Sequence, residues 1–516
     1  MRPVAMTEPS LGASASRGAA VTAGAQIFRI GIQLAGIVIL ARLVTPYDYG
    51  MITMILAIIG IGEVLRDFGL AQASIQARTI TRGQQSNLFW TNTGVGLVLT
   101  IVTIGLSWAI AAFYGTPGLQ PLTVVLASTF LLRGMTTQFM AHMARNLRFG
   151  RLSTAETVGQ LVALGVAIVM ALMGFGAWAL VAQQVAQAAF TLVIMVMLAQ
   201  WLPGWIDRHA TIRPFLRYGV GVAGSQLLSY ASRNVDSVVI GARFGATPLG
   251  LYNRAFQLMM LPLSQINAPA TRVAVPVLSR LQDERKRFAQ FILLGQFATL
   301  LLVGSITAIC ISQAYPVILV FLGPEWLDAA PLFQILAVGG IFQAVSYASY
   351  WVFLAKGLTK QNFYYALVTR PIMIGVILLG SMWGVEGVAW AYSLSLAVFW
   401  PVSLIWLSRI SDAPAREMFL TGLGGVAITA AATAAAWGSS LLIPEGLSLV
   451  RIAVGIVVTL ATIALIALIF PPVRRQMVGL LELRRHFRRS TAASDSTADP
   501  LADAPLPADV TRDPAA

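Results

Sequence analysis

The stretch GAQIFRIGIQLAGIVILARLVTP at 24–46 recurs in altered form as GSQLLSYASRNVDSVVIGARFGATP at 224–248. Both copies contain Gly-x-Gln, then a largely apolar stretch, then Ala-Arg and Thr-Pro, in the same order. Each copy also carries an arginine inside a segment whose composition is otherwise typical of a membrane span. Because duplicated helix bundles and buried cations are typical of transporters, the pattern predicts a membrane transporter built from two related halves.

The composition of the whole chain agrees with a membrane protein. Of 516 residues, 57% are hydrophobic and 11% are charged, whereas a soluble domain carries about 25% charged residues. The net charge is +14, but the basic residues lie between apolar runs, which favours membrane topology over nucleic-acid binding. The single cysteine, Cys310, excludes an intrachain disulfide.

A membrane-spanning helix needs about 20 mostly apolar residues, and the hydropathy of the chain predicts fourteen such spans. We therefore expect an all-α polytopic membrane protein. The predicted spans are 19–43, 50–70, 88–112, 120–142, 153–174, 177–200, 217–241, 250–271, 289–314, 331–354, 363–383, 386–407, 419–440 and 449–470.

Charge asymmetry between successive loops predicts the orientation. The odd-to-even loops at 113–119 and 175–176 contain no basic residue. In the loop at 315–330, the only charged residues are the acids Glu325 and Asp328. The even-to-odd loops are rich in arginine and lysine, such as Arg145, Arg148 and Arg151 in one of them. By the positive-inside rule, these basic loops and both termini are cytoplasmic.

The repeat extends beyond its opening segment and predicts the domain organisation. ARNLRFGRL at 144–152 resembles AKGLTKQNF at 355–363, and six spans separate the copies, so the two halves share one orientation. The predicted segments are a cytoplasmic N-terminal segment 1–18, an N-lobe 19–202, a linker 203–216, a C-lobe 217–408, spans 13–14 at 409–473, a basic juxtamembrane segment 474–489 and a disordered tail 490–516.

Arginines deep in the spans are the candidate functional residues, because each costs about 2.5–3.5 kcal/mol at a helix centre on insertion scales. The repeat register sets Gln33 opposite Arg233, with Gln26 and Gln226 near the same helix face. We therefore predict a central cationic cavity with spans 1 and 7 as facing walls. The deep arginines are Arg29, Arg133, Arg233 and Arg370.

Other charged residues in the spans have more than one interpretation. Asp236 lies three residues after Arg233, so the two are able to pair, and Asp236 is also a candidate for binding a coupling ion. Arg254 lies early in span 8, where snorkelling to the interface is the default expectation. Glu63, Arg66 and Asp67 cluster at the predicted cytoplasmic end of span 2 and are expected to neutralise one another.

Several motifs of enzymes are absent. There is no phosphate-binding G-x-x-x-x-G-K-[ST] sequence, and His142, His209 and His486 are too scattered to form a metal site. No acidic pair of the kind that glycosyltransferases use is present. We therefore predict a transporter, not an enzyme, that needs no cofactor and binds no nucleic acid.

The run AGAQIFRIGIQLAGIVILARLVTPYDYGMI at 23–52 resembles the opening span and turn of the polysaccharide transporter (Wzx-type flippase) family of the MATE-like flippase superfamily. TPLGLYNRAFQL at 247–258 resembles the start of that family's second half. The resemblance implies two six-span lobes around a cationic cavity and a substrate of undecaprenyl-diphosphate-linked oligosaccharide. It also implies diphosphate contacts in spans 1, 7, 8 and 11, where Arg29, Arg233, Arg254 and Arg370 lie.

The resemblance further implies a location in the bacterial inner membrane and, as candidate partners, membrane lipid, a polysaccharide polymerase and export machinery. Two related functions remain open at this point. A flippase for lipid-linked peptidoglycan precursor would share nearly all these features. A cation-coupled multidrug exporter of the same fold is disfavoured, because its site should be acidic.

Overall fold

The computed structural model describes residues 11–67, 69–77, 79–471 and 473–477, with all their side chains except those of 11–23, 25, 27, 67, 216–229 and 231. Within this part of the chain there are fourteen helices of 22 residues or longer and no strand. In chain order they are α1 Leu11–Ala41, α2 Pro46–Asp67, α3 Arg82–Phe113, α4 Leu119–Arg145, α5 Phe149–Leu172, α6 Ala177–Ala199, α7 Arg213–Phe244, α8 Ala246–Arg280, α9 Arg285–Ser312, α10 Ala329–Ala355, α11 Thr359–Gly380, α12 Gly384–Ile410, α13 Ala415–Ser440 and α14 Ser448–Ile469.

Each long helix corresponds to the predicted span of the same number, so the predicted all-α bundle is confirmed. Helix α1 begins at Leu11, earlier than the predicted start of its span at 19. Two short helices lie outside the spans, Leu70–Gln76 after α2 and Ala314–Phe321 before α10. The predicted basic segment 474–489 lies outside the described residues except for 474–477, and the tail 490–516 lies wholly outside them.

Local sequence explains where several helices begin. Thr81 caps α3, because its hydroxyl accepts from the Gln84 backbone amide at 3.2 Å and the Gln84 side chain accepts from the Thr81 amide at 3.1 Å. Pro46 occupies the first position of α2, where its missing N–H leaves no bond unmade. Gly245 separates α7 from α8 with φ of 86°, a conformation that favours glycine.

The helices form two lobes with a C-terminal pair beside the second. In the N-lobe, α3 packs against α4, α5 against α6, and α1 against α5. In the C-lobe, α10 is central and contacts α8, α9 and α12, while α11 packs against α12. Helix α13 packs against α9 and α14. The lobes meet where α2 packs against both α7 and α8.

The contact between α2 and α8 is closest near their first turns. A Cβ built on Gly50 would lie 1.8 Å from the Ala246 carbonyl oxygen, and one built on Gly250 would lie 1.9 Å from the Pro46 carbonyl oxygen. Only glycine allows two helix backbones to approach this closely. We call this end of the bundle, where α1 ends and α2 begins, the outer end, and the opposite end the inner end.

The distribution of apolar residues indicates a multi-pass membrane protein. Within the described residues, nine stretches are long and apolar enough to cross a membrane, and one of them covers both α11 and α12. The long helices outside these stretches are α1, α4, α7 and α8. Each of these four helices carries an arginine among its apolar residues, respectively Arg29, Arg133, Arg233 and Arg254.

Candidate substrate cavity

A cavity of about 650 Å³ lies between the two lobes. Its described lining comes from α1, α2, α5 and α6 of the N-lobe and from α8 of the C-lobe. The lining contains eight amide side chains and one cation, Arg254, and no carboxylate. It therefore suits a polar ligand that is neutral or anionic.

Arg254 is the dominant charge of the cavity. Its residue is only 7% exposed, and its guanidinium lies over the Tyr49 ring at 3.5 Å from the ring centroid. One nitrogen donates to Gln257 Oε1 at 2.6 Å, while Nε has no hydrogen-bond partner. Arg254 makes no ion pair with any described residue. It is thus a buried cation with donors free for an anionic ligand.

Gln33 faces the same cavity from α1. Helices rise 1.5 Å per residue, so Gln33 lies about 12 Å inward of Ala41, where α1 ends. Arg254 lies a similar 12 Å or so inward of Ala246, where α8 begins. The two predicted residues therefore line one cavity at about the same depth, on opposite lobes.

Arg29 lies one helical turn inward of Gln33 and is engaged with its own lobe. Its guanidinium pairs with the Glu156 carboxylate of α5 and also donates to Gln26 Oε1 at 2.7 Å. The side chains of Arg29 and Glu156 are 22% and 34% exposed, respectively. Among described residues, neither Gln26 nor Arg29 lines the cavity.

Arg233 and Arg370 belong to α7 and α11 of the C-lobe and do not line this cavity. The two guanidinium groups interact electrostatically with each other and with Tyr392 of α12. Neither arginine forms an ion pair with a residue that the structure describes. They form a second group of cations between α7 and α11.

Asp236 is buried and does not pair with Arg233, although the spacing permits it. Its carboxylate accepts from the Tyr252 hydroxyl at 2.8 Å and from the Ser237 amide at 2.8 Å. Tyr252 belongs to α8, so Asp236 joins α7 to α8. The alternative of an Arg233–Asp236 ion pair is therefore wrong.

The prediction that spans 1 and 7 form facing walls stays a prediction, because the side chains of 216–229 and 231 in α7 lie outside the described residues. None of the described residues of α7 lines the cavity, because α2 lies against α7 and the Tyr230 hydroxyl of α7 donates to the Leu56 carbonyl of α2 at 3.0 Å. The described C-lobe wall comes from α8. The side chain of Gln226 lies outside the described residues.

Arg133 takes part in an ion-pair network of the N-lobe. Glu63 lies 3.0 Å from Arg66 and 3.4 Å from Arg133, and Arg66 also donates to the Thr137 hydroxyl at 2.7 Å. The expected neutralisation of Glu63 by Arg66 is therefore present, and it includes Arg133. The side chain of the neighbouring Asp67 lies outside the described residues.

Contacts between the lobes cover the cavity at its outer end. The indole N–H of Trp326, which is fully buried, donates to the Ala41 carbonyl at 2.7 Å. The Trp326 ring packs edge-on against Tyr49 with centroids 5.5 Å apart, and Arg42 donates to the Val320 carbonyl at 2.7 Å. Together with the α2–α8 crossing, these contacts hold the outer end closed.

Sequence reasoning missed several residues of this site. Tyr49, which lies under the Arg254 guanidinium, and Glu156, which pairs with Arg29, were not singled out. The amides of α5 and α6 were also missed, although Gln183 and Gln187 have the i, i+4 spacing of one helix face inside an apolar run. That spacing was the available signal.

Residues 39–331 match the family described as polysaccharide biosynthesis protein, a match over more than half of the chain. The chain belongs to this family. Similar proteins include the lipopolysaccharide biosynthesis protein WzxC of Escherichia coli, 27% identical over 73% of this chain and 77% of that protein. The teichuronic acid biosynthesis protein TuaB of Bacillus subtilis is also 27% identical, over 73% of this chain and 79% of that protein. The succinoglycan biosynthesis transport protein ExoT of Rhizobium meliloti is 22% identical over 76% and 79%, respectively.

Solved structures share the fold of this polysaccharide biosynthesis family member. The lipid II flippase MurJ in its inward closed conformation superposes with a TM-score of 0.68 and 15% identity, over 86% of this chain and 97% of that chain. An inward-facing multidrug resistance transporter of the MATE family superposes with a TM-score of 0.57 and 16% identity, over 73% and 92%. The predicted MATE-like fold is thereby confirmed.

Proposed function

We propose that this protein is a flippase for undecaprenyl-diphosphate-linked oligosaccharide, the repeat unit of an O antigen or exopolysaccharide. It moves this lipid from the inner to the outer leaflet of the bacterial inner membrane by alternating access. The observation that carries the proposal is Arg254, a buried cation without an acidic partner in a cavity of about 650 Å³ between the lobes. The names of the similar proteins, from lipopolysaccharide to succinoglycan biosynthesis, support the same substrate class.

The chemistry of the cavity fits a diphosphate. A guanidinium presents planar donors that match phosphate oxygens, and such charge-assisted bonds are among the strongest in proteins. Arg254 already uses one nitrogen on Gln257 and keeps Nε without a partner. The absence of carboxylates from the described lining disfavours the alternative of an exporter for cationic drugs.

The loop charges support the orientation of the transport cycle. The basic loops lie at the inner end, so that end and both termini face the cytoplasm, and the outer end faces the periplasm. The structure then corresponds to the state closed towards the periplasm, with Trp326 and Gly50 among the closing contacts. The lobes at 19–202 and 217–408 rock about the cavity, while spans 13–14 pack on the C-lobe.

The remaining polar residues have proposed roles in the same cycle. Arg29 and Gln26 lie inward of Gln33, outside the described lining, and contact the diphosphate as it enters the cavity from the inner end. Arg233 and Arg370 form a second cationic contact in the C-lobe, with Gln226 on the same helix as Arg233. Asp236, buried and bonded to Tyr252, is the candidate for ion coupling. Membrane lipid, a polysaccharide polymerase and export machinery are the proposed partners, and transport, not catalysis, is the proposed activity.

The test removes the charge of Arg254. In proteoliposomes, Arg254→Gln should lose most transfer of a fluorescent undecaprenyl-diphosphate oligosaccharide across the bilayer, and its affinity should fall by about 30-fold or more, because a buried charged contact contributes about 2–5 kcal/mol. The matched control is Arg280→Gln, on the exposed last residue of the same helix.

Two outcomes bear on the proposal directly. Transfer by Arg254→Gln at the rate of the parent protein would refute the role of Arg254 in binding the diphosphate. Transfer of a lipid-linked disaccharide-pentapeptide in preference to the oligosaccharide would favour the alternative of a peptidoglycan precursor flippase.

A further inference from the structure

A row of three glutamines crosses the N-lobe wall of the cavity, opposite Arg254. The row consists of Gln33 of α1, Gln160 of α5 and Gln187 of α6, and all three line the cavity. We infer that this amide row binds the sugar residues next to the diphosphate, so that the cavity has a carbohydrate wall and an anion wall. The inference rests on the proposed function, because it names the part of the same substrate that this wall recognises.

The register of the helices places these amides side by side. Helix α1 runs parallel to α5, and two contacts fix their register. Arg29 pairs with Glu156. Further outward, a Cβ built on Gly36 would lie 3.3 Å from the Leu164 side chain. Gln33 lies between these two contacts on α1, as Gln160 does on α5. The two side chains therefore lie at one level.

Helix α6 continues the row. A Cβ built on Gly159 would lie 3.2 Å from the backbone nitrogen of Thr191, so the neighbouring Gln160 lies close to the level of Thr191. Gln187 is one helical turn before Thr191. The amides of Gln160 and Gln187 therefore face the cavity from adjacent helices at similar depth.

These amides have no other bonding role. Gln33, Gln160 and Gln187 make no hydrogen bond with any residue that the structure describes, whereas Gln184 accepts from Arg133 at 3.2 Å and Gln257 accepts from Arg254 at 2.6 Å. A polar side chain in a membrane helix is costly unless it faces water or a partner. Three such side chains on three helices all face one cavity.

The chemistry of a primary amide selects carbohydrate. Each amide offers two N–H donors and a carbonyl acceptor, which matches sugar hydroxyl groups, since these both donate and accept. Such groups in a closed cavity reject a ligand that leaves them unpaired. Apolar compounds and lipid tails cannot satisfy the amides, and a cation would meet Arg254 across the cavity.

The experiment compares two ligands on purified protein in nanodiscs: undecaprenyl diphosphate alone, and undecaprenyl diphosphate that carries a neutral tetrasaccharide. The variant Gln33→Met/Gln160→Met/Gln187→Met removes the amides while keeping length, flexibility and helix preference. Its binding of the bare lipid should stay within twofold of the parent. Its binding of the tetrasaccharide lipid should weaken about tenfold or more. The control is Gln120→Met, on an exposed residue near the start of α4 that does not line the cavity.

Each outcome decides one question. Equal weakening for both lipids, or unchanged binding of both, overturns the carbohydrate wall. If the parent protein binds neither lipid, the proposed function fails and the inference fails with it. If the triple variant has lost its cooperative thermal unfolding, the single variant Gln187→Met decides instead: a selective loss of about threefold is expected for the tetrasaccharide lipid, and no selective loss overturns the inference.

Discussion

Replacement of Gly50 by alanine tests whether the α2–α8 crossing is the outer gate. The added Cβ would lie 1.8 Å from the Ala246 carbonyl oxygen, whereas ordinary contacts begin at 3.4 Å. The two helix ends must therefore separate by about 1.6 Å, the difference between these distances. Because the clash is with backbone, no side-chain rotation relieves it.

The strain falls on the state that is closed at the outer end. Overpacking of a tight contact costs about 1–3 kcal/mol. If the open state separates α2 from α8, the added methyl group of Gly50→Ala costs no free energy in that state. The ratio of open to closed molecules should then rise about 5- to 150-fold, since 1.4 kcal/mol corresponds to a factor of ten. Gly250→Ala should act in the same direction, because its Cβ would lie 1.9 Å from the Pro46 carbonyl oxygen.

The assay measures access to the cavity from the periplasm. Replacement of Cys310, the single cysteine, by alanine gives a background for Thr53→Cys, at a position that lines the cavity. A membrane-impermeant maleimide is added to intact cells, and the labelling rate is compared with and without Gly50→Ala. The control is Gly105→Ala in α3, where an added Cβ meets nothing within 4 Å.

We expect faster labelling of Thr53→Cys in the Gly50→Ala protein and an unchanged rate in the control. Unchanged labelling in a Gly50→Ala protein with normal thermal unfolding would refute the gate. It would mean that α2 and α8 absorb the extra methyl group without separating, or that they stay together in both states.

Two further predictions concern the ion pairs. If Arg29 binds the diphosphate as proposed, Arg29→Ala should lower transfer of the lipid-linked oligosaccharide at least tenfold. Arg29→Ala/Glu156→Ala should not recover transfer, because an ion pair this exposed contributes only about 0–1 kcal/mol. Recovery in the double variant would assign Arg29 a purely structural role. Outside the membrane, the hydrogen bond that Lys356 donates holds the pKa of Asp412 below its usual value, and Arg285 lies 2.9 Å from the same carboxylate. A lowered pKa stabilises the fold above the unfolded-state pKa of about 3.9, so this stability should be lost as pH falls below that value. Thermal unfolding measured against pH should show a smaller loss of stability at acid pH in Asp412→Asn than in the control Asp283→Asn. Identical curves for the two variants would contradict this prediction.

The helix bundle was predictable because it depends on local composition. Apolar runs of about 20 residues must form helices in lipid, since no water is present to satisfy the backbone. The apolar runs predicted the fourteen long helices that the structure describes, while the direction of the spans, which the loop charges indicate, stays a prediction. The start of α1 at Leu11 was missed because the sequence before 19 is polar and small, which a hydropathy window does not register.

The arrangement of the cavity was not predictable because it depends on contacts between distant residues. By position alone, Arg254 lies near enough to the start of α8 to reach the interface. It is buried instead because α8 crosses α2 at Gly50 and Gly250, which brings the Tyr49 ring over the guanidinium. Similarly, the pairing of Arg29 with Glu156 joins residues 127 positions apart. No spacing rule along the chain identifies such a partner.

The two copies of the opening repeat share a backbone plan and differ in chemistry. A glycine follows each copy within four residues, Gly50 and Gly250, and the two form a nearly symmetric α2–α8 contact at the outer end. The first copy binds its arginine to Glu156, whereas the second leaves Arg233 without an acidic partner among the described residues and buries Asp236 against Tyr252. The described cavity lining is asymmetric as well: its N-lobe wall has five amides and no charged residue, whereas its C-lobe wall has three amides and the cation Arg254. A symmetric scaffold suits a gate that must open and close by rocking, and an asymmetric lining suits a substrate with a sugar end and a diphosphate. The geometry of the repeat and the chemistry of its side chains are thus under separate constraints, so the register of the repeat predicts where its helices lie but not which of their side chains line the cavity.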